Sequence, residues 1–207
     1  NILDPAFKSF VGMHPVPIVY GMTSGEYAKM VNGEGWLKDG VQCDLTVIPC
    51  KNYTHATHYD LPVPPSPNLA TAKSIALYPS LCYFEGTPLS EGRGTPWPFE
   101  VFGSPLLPET GFTFTPESSK NKGVLCNGVD LREAPDPGCV DLKYVIWAYN
   151  NYEKKDEFFK KFFDTLCRGE PIRKQIEPGM TAAEIHATWQ PGLAESMKER
   201  AKYLFYA

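Results

Sequence analysis

The alternation of apolar and polar positions changes period several times along the first half of the chain. An apolar stretch over residues 16–20 reads as extended, and Thr23 and Glu26 follow it. A hydroxyl and a carboxylate at that spacing predict a capping box, each side chain satisfying a free N–H at a helix start. Tyr27, Met30 and Val31 continue at helical spacing. Cys43, Leu45 and Val47 alternate with Gln42, Asp44 and Thr46, which predicts a strand over 42–48. Pro64, Pro65 and Pro67 stiffen a non-helical stretch, after which Asn68 is predicted to cap a short helix through Ala76, limited by Pro79. Phe112 and Phe114 alternate with threonines and predict a strand over 111–115, with residues 124–126 as its pairing partner.

From Asp141 onward the period becomes helical. Leu142, Val145, Ile146 and Tyr149 form one stripe, and Phe158, Phe159, Phe162, Phe163 and Leu166 form another. Both read as core-packing surfaces. Thr181 and Glu184 repeat the capping-box spacing ahead of Ile185 and Trp189, and Leu193, Met197, Ala201 and Leu204 suggest a final helix. Strands and helices do not alternate in βαβ order. The predicted fold class is therefore α+β, mixed strands with a loop-rich middle followed by a helical C-terminal third, in a single domain over 1–207.

Composition narrows the function classes. At 43% hydrophobic residues, 207 residues suffice for a sizeable core. A formal net charge of -4 argues against a basic surface for nucleic acid, and no apolar run is long enough for a membrane span. Twenty prolines, concentrated between Pro49 and Pro116, imply a stiffened, irregular middle. The six cysteines include no C-x-x-C pair and read as scattered core residues, free or singly paired. The chain opens on Asn1 with no basic-then-apolar leader, so a leader or a larger N-terminal part is expected to have been removed.

Candidate chemistry concentrates in residues 85–99, where three glycines, three prolines, Glu85, Glu91 and Arg93 preclude a regular helix or central strand. Glu85 and Glu91 are the candidate acid–base pair. Glycoside cleavage commonly uses two carboxyls about 5–9.5 Å apart, whereas six extended residues span about 20 Å, so the loop must fold back. The alternative reading is that Glu91 and Arg93 only pin the loop by an ion pair. His55, His58, Cys50 and Asp60 offer ligand chemistry to zinc, but their order matches no standard spacing, and no metal or cofactor is expected. His14 and His186 read as structural or surface residues.

Four blocks then resemble a known family. They are 10–12 with 15–26, the V-P-P-S-P-N run at 63–68, residues 78–87 running into the E-G-T-x-x-S-E-G-R-G-T block at 85–95 with Pro98 and Phe99, and the tail 173–176 with 200–206. Together they are similar to the NamZ-type exo-β-N-acetylmuramidases. The resemblance implies an enzyme releasing N-acetylmuramic acid from the non-reducing ends of peptidoglycan, with an active cleft between a Rossmann-like N-terminal half and a smaller C-terminal half. Only the second half is matched, so its partners are expected to be its own absent N-terminal domain and a muramyl glycan or peptidoglycan fragment. The family's principal proposed acid lies in the absent half. Glu85 and Glu91 remain the catalytic candidates here. Asn68, Ser90, Arg93 and Thr95 are the substrate-binding candidates, with Arg93 suited to the lactyl carboxylate of muramic acid. The implied location is secreted or periplasmic. Two other readings stay open, namely a non-catalytic muramyl-glycan-binding module with Trp97 or Tyr83 as sugar platforms, and a structural domain whose loop docks the other half.

Overall fold

A computed structural model describes residues 2–206. Its frame is six helices and a small sheet: α1 (Ser24–Gly33), α2 (Ala72–Leu81), β1 (Val101–Ser104), β2 (Phe112–Phe114), β3 (Cys126–Asp130), α3 (Lys143–Asn151), α4 (Lys161–Leu166), α5 (Pro171–Ile176) and α6 (Ala182–Ala201). The sheet is antiparallel with strand order β1-β3-β2. The α+β class and the helical C-terminal region are as the periodicity predicts. Among the described residues, no helix is long and apolar enough to cross a membrane.

The short sheet separates two apolar clusters because neighbouring strand residues face opposite ways. Phe102 and Val129 face the main core with Leu77, Leu81, Phe84, Val145, Phe163 and Ile176, whereas Val101, Phe114 and Cys126 pack with Trp97 and Phe112 on the other side. The 3-10 turn Cys82–Gly86 links α2 to the loop and sits directly against α4. Only glycine fits at its end. A Cβ on Gly86 would run into the backbone of Phe163, and the Gly86 carbonyl accepts from the Lys160 N–H at 3.0 Å.

Both predicted capping boxes form, at Thr23–Glu26 and Thr181–Glu184. The cap of α2 differs from the sequence reading. Thr71, not Asn68, accepts from the Ser74 N–H, and Ser74 returns the bond, so the helix starts later and runs to Leu81 through Pro79. Pro79 stands in the last turn, where its missing N–H forfeits the intrahelical bond to the Ile75 carbonyl without ending the helix before Leu81. The C-terminal helices predicted as two are one 20-residue α6, even with Pro191 inside it.

The strand predicted over 42–48 does not form. Alternation supplies a two-faced segment, but a strand needs a neighbouring ladder, and none lies alongside. The segment is instead tied down by side chains. Asn32 brackets Cys43, donating to its carbonyl at 3.1 Å and accepting from its N–H at 2.7 Å, and the Tyr206 hydroxyl accepts from the Cys50 N–H at 2.7 Å. No disulfide joins the cysteines. Cys126 and Cys167 are buried, but Cys43, Cys50 and Cys139 are exposed, against the expectation of a core role for all six.

Glu26 extends its cap into a tertiary clamp. One oxygen closes the box with Thr23, and the other accepts from the N–H groups of Phe205 and Tyr206 and from His55 Nε2 at 3.0–3.3 Å. Burial alone would raise its pKa. The bonds from Thr23, Phe205 and His55 outweigh burial and hold it down, from the ordinary 4.5 to about 2. A depressed carboxylate stabilises the fold above its unfolded pKa and loses that contribution as pH falls through the folded one. The shift corresponds to on the order of 3 kcal/mol, present above about pH 5 and lost towards pH 2. Thermal unfolding of the wild type and of Glu26→Gln should therefore differ most above pH 5 and converge near pH 2. A difference independent of pH would mean that shape, not charge, carries the clamp.

Candidate functional site

The loop after the 3-10 turn does fold back. Ser90 exchanges both backbone hydrogen bonds with Gly103 of β1 (2.8 and 2.9 Å), and the Glu91 carbonyl accepts from the Phe99 N–H at 2.7 Å. Gly94 takes φ 81° against the backbone of Ser118, where any Cβ would collide, and its carbonyl accepts from the Glu117 N–H at 2.8 Å. The loop is thus fastened to two distant segments, and its side chains are fixed with it.

The folding back brings Glu85, Glu91 and Arg93 together. Arg93 Nη1 lies 3.2 Å from Glu85 Oε2 and 3.0 Å from Glu91 Oε1, so the nearest oxygens of the two carboxylates are within about 6 Å. The space between them is occupied by the guanidinium. The two acids differ in access. The Glu91 side chain is 1% exposed and the Glu85 side chain is 20% exposed. Burial works against the positive charge of Arg93, but Glu85 and Glu91 outweigh it and raise its pKa.

The second partner of Glu91 escaped the sequence reading. Lys120 Nζ donates to Glu91 Oε2 at 3.0 Å and to the carbonyls of Phe84 and Leu89 at 2.6 and 2.9 Å, satisfying all three of its protons. Burial lowers the Lys120 pKa, with Glu91 opposing that shift. Nothing in the run around Lys120 marks it, since its partner is 29 residues away.

An aromatic floor supports the cluster. Arg93 lies over the Phe99 ring at 4.9 Å, and Tyr78 meets that ring edge-on at 4.9 Å. Phe99 has φ 58°, a conformation that a bulky side chain adopts only when its surroundings enforce it. Here its backbone is held by Glu91 and its ring by Tyr78 and Arg93. Tyr78 is also missed by the sequence reading. Its hydroxyl pKa is raised by burial and by the neighbouring Cys82 and Glu85.

The remaining predicted residues divide. Ser90 is buried, and its hydroxyl accepts from the Gly92 N–H at 3.2 Å. Thr95 Oγ1 donates to the Gly92 carbonyl at 2.7 Å and accepts from the Trp97 N–H at 3.0 Å. Both hydroxyls therefore shape the loop. Asn68 is half-buried in the proline-rich turn, its N–H donating to Ser66 Oγ at 3.3 Å. Tyr83, offered as a sugar platform, is fully buried against Phe163, because its face of the 3-10 turn packs on α4. Trp97 is half-buried and covered by Arg132, whose guanidinium lies 4.2 Å from its ring. His55 and His58 diverge to different carboxylates, Glu26 and Asp60.

The fold and the cluster define a class: an α+β unit whose Gly/Pro-rich loop gathers two carboxylates around an arginine at the surface, the residue types of glycoside hydrolysis. Residues 76–206 match the family model described as the C-terminal part of the exo-β-N-acetylmuramidase NamZ, and residues 1–73 match the model of its N-terminal part. The chain belongs to this glycoside hydrolase family, and the two models meet within it, near the start of α2. It is 36% identical to the peptidoglycan β-N-acetylmuramidase NamZ of Bacillus subtilis (strain 168), over 99% of this chain and 55% of that protein. Among solved structures, a DUF1343 family protein of Bacteroides fragilis NCTC 9343 superposes with a TM-score of 0.96 at 48% identity, covering 99% of this chain and 61% of the other. A second one from the same organism gives a TM-score of 0.84 at 21% identity, covering 62% of that chain, and shares the fold. The chain thus spans little more than half the length of the relatives it matches.

Proposed function

We propose that this chain forms one wall of the active cleft of a peptidoglycan hydrolase that releases N-acetylmuramic acid from non-reducing glycan ends. The observation that carries the reading is the Glu85–Arg93–Glu91–Lys120 network, a charged cluster open to solvent at Glu85 and closed at Glu91. In this reading Glu85 is the group that meets substrate, as acid–base partner or as stabiliser of an oxocarbenium-like state. Glu91 acts through Arg93 and is a positioning residue. Arg93 holds the lactyl carboxylate, exchanging one of its two protein carboxylates for that of the sugar. Asn68, at the margin of the proline-rich turn, contributes an amide to the sugar.

The other wall comes from the rest of the N-terminal part, to which residues 1–73 themselves belong. Its docking surface is the irregular segment 41–63 and the neighbouring N-terminal stretch, where Phe10, Ile48 and Val63 are 85%, 87% and 73% exposed. Apolar side chains exposed in such numbers mark a contact surface. A substrate in the cell wall makes the protein secreted or periplasmic.

The test is release of aglycone from a chromogenic β-N-acetylmuramide, by the 207-residue chain and by a polypeptide of full family length. Activity only in the longer polypeptide supports the one-wall reading, and inactivity of both overturns it. Arg93→Ala in that polypeptide should raise KM for muramyl substrates at least tenfold more than for glucosaminyl ones, about 1.4 kcal/mol of selective binding. Equal losses for the two sugars remove the carboxylate-clamp role.

One observation favours a second reading, a non-catalytic muramyl-glycan-binding module. A groove of about 720 Å³ beside β2 and β3 is lined by Phe112, Tyr144 and Trp147 with Asp130 and Lys143, aromatic platforms flanked by polar groups. Glycan binding by a full-length polypeptide that cleaves nothing would select it.

A further inference from the structure

A sugar that turns its polar edge to Glu85 and Arg93 still has an apolar C–H face to cover, and an aromatic ring is the side chain suited to that face. The two rings that the sequence offers for this are taken. Tyr83 is buried against Phe163, and Trp97 is covered by the Arg132 guanidinium at 4.2 Å. Phe84 and Phe99 are buried as well. Among the described rings around the cluster, that leaves Tyr78, which is 37% exposed.

Local structure sets Tyr78 beside the cluster in two ways. α2 runs directly into the 3-10 turn Cys82–Gly86, and Tyr78, Cys82 and Glu85 follow one another at steps of four and then three. Those are the repeats of an α-helix and a 3-10 turn, so Tyr78 and Glu85 share one face of the rod. Tyr83, one position beyond Cys82, is turned away towards α4. The second link is Phe99. Its ring lies 4.9 Å from Tyr78 at an interplanar angle of 76°, and it carries the Arg93 guanidinium at 4.9 Å. Among the described residues this is the only ring contact of Tyr78, and no cation lies over it. A single edge-on contact leaves at least one face of the phenol uncovered.

We propose that Tyr78 is the aromatic platform of the sugar site, with the apolar face of the N-acetylmuramic acid pyranose lying on its ring while Glu85 and Arg93 meet the polar groups. The inference rests on the glycosidase reading and deepens it. Arg93 holds the lactyl group that only muramyl sugars carry, whereas Tyr78 holds ring carbons that muramyl and glucosaminyl sugars share.

Methyl β-N-acetylmuramide and methyl β-N-acetylglucosaminide are the probes, with binding to a polypeptide of full family length followed by calorimetry. Tyr78→Leu should raise Kd about tenfold for both sugars, and Tyr78→Phe should change it less than about twofold. On the chromogenic β-N-acetylmuramide, Tyr78→Leu should raise KM by the same factor and leave kcat within about twofold, since a platform binds ground and transition states alike. An equal loss in Tyr78→Phe assigns the effect to the hydroxyl and overturns the platform. A loss confined to the muramide means that Tyr78 acts through Phe99 on Arg93, which overturns it too. Binding that survives Tyr78→Leu unchanged does the same. A wild type that binds the muramide but cleaves nothing defeats the glycosidase reading alone, and the Kd ratios still decide the platform. Should Tyr78→Leu fail to fold, the wild-type Tyr78 ring resonances decide. They should shift saturably with the muramide, and their constancy overturns the proposal.

Discussion

Glu91→Gln is expected to cost about 2–4 kcal/mol of folding stability, because it leaves the partly buried Lys120 ammonium without its counter-charge. The carboxylate is closed off from solvent and takes one oxygen to Arg93 and the other to Lys120, both at 3.0 Å. Glutamine keeps the shape but offers only one acceptor, and its amide would point a donor at one of two cations. Lys120 also holds the carbonyls of Phe84 and Leu89, so the loss spreads to the 3-10 turn and the loop entry. Denaturant unfolding followed by tryptophan fluorescence gives the difference. A cost below about 1 kcal/mol would put the pair in the range of exposed salt bridges and remove Glu91 as the pin of the loop. Adding Lys120→Met should recover part of the loss, since the isolated charge is then gone.

Glu85→Gln should have the opposite profile. In a polypeptide of full family length it is expected to lower kcat about 10²–10⁴-fold, the usual worth of a positioned general acid or base. Its effect on Tm should be small, because Glu85 is partly exposed and Arg93 keeps Glu91 as a partner. Glutamine retains the volume and a hydrogen bond to Arg93, so a large kcat loss with an intact fold isolates the proton or the charge. Unchanged kcat would reduce Glu85 to a partner of Arg93 and move the catalytic acid entirely to the other wall. The two substitutions, six positions apart, thus separate the buried end of one network from its exposed end.

The sequence determined whatever depends on neighbours three or four residues away or on the residue type alone. Thr23 with Glu26 and Thr181 with Glu184 form their boxes because each partner lies one turn along the same chain. The alternation at Phe112–Phe114 becomes β2, the residues after Asp141 become helices, and the glycines and prolines of 85–99 keep that stretch irregular. The gathering of Glu85, Glu91 and Arg93 was legible too, since two acids and a guanidinium in a loop that must turn have short distances to cover.

Tertiary structure decided whatever needs a partner from afar. The alternation over 42–48 is as regular as that of β2, yet β2 has β3 alongside, whereas the earlier segment is held by side chains, with Asn32 on Cys43 and Tyr206 on the nearby Cys50. Lys120 is one of several lysines in polar loops until the fold sets it under Glu91. Tyr83 and Glu85 stand two positions apart on one turn, yet α4 covers the first and solvent reaches the second. The physical reason is common to all of these. A cap is complete within one turn of helix, whereas a ladder, a buried ion pair or the burial of a ring exists only once segments distant in the chain meet.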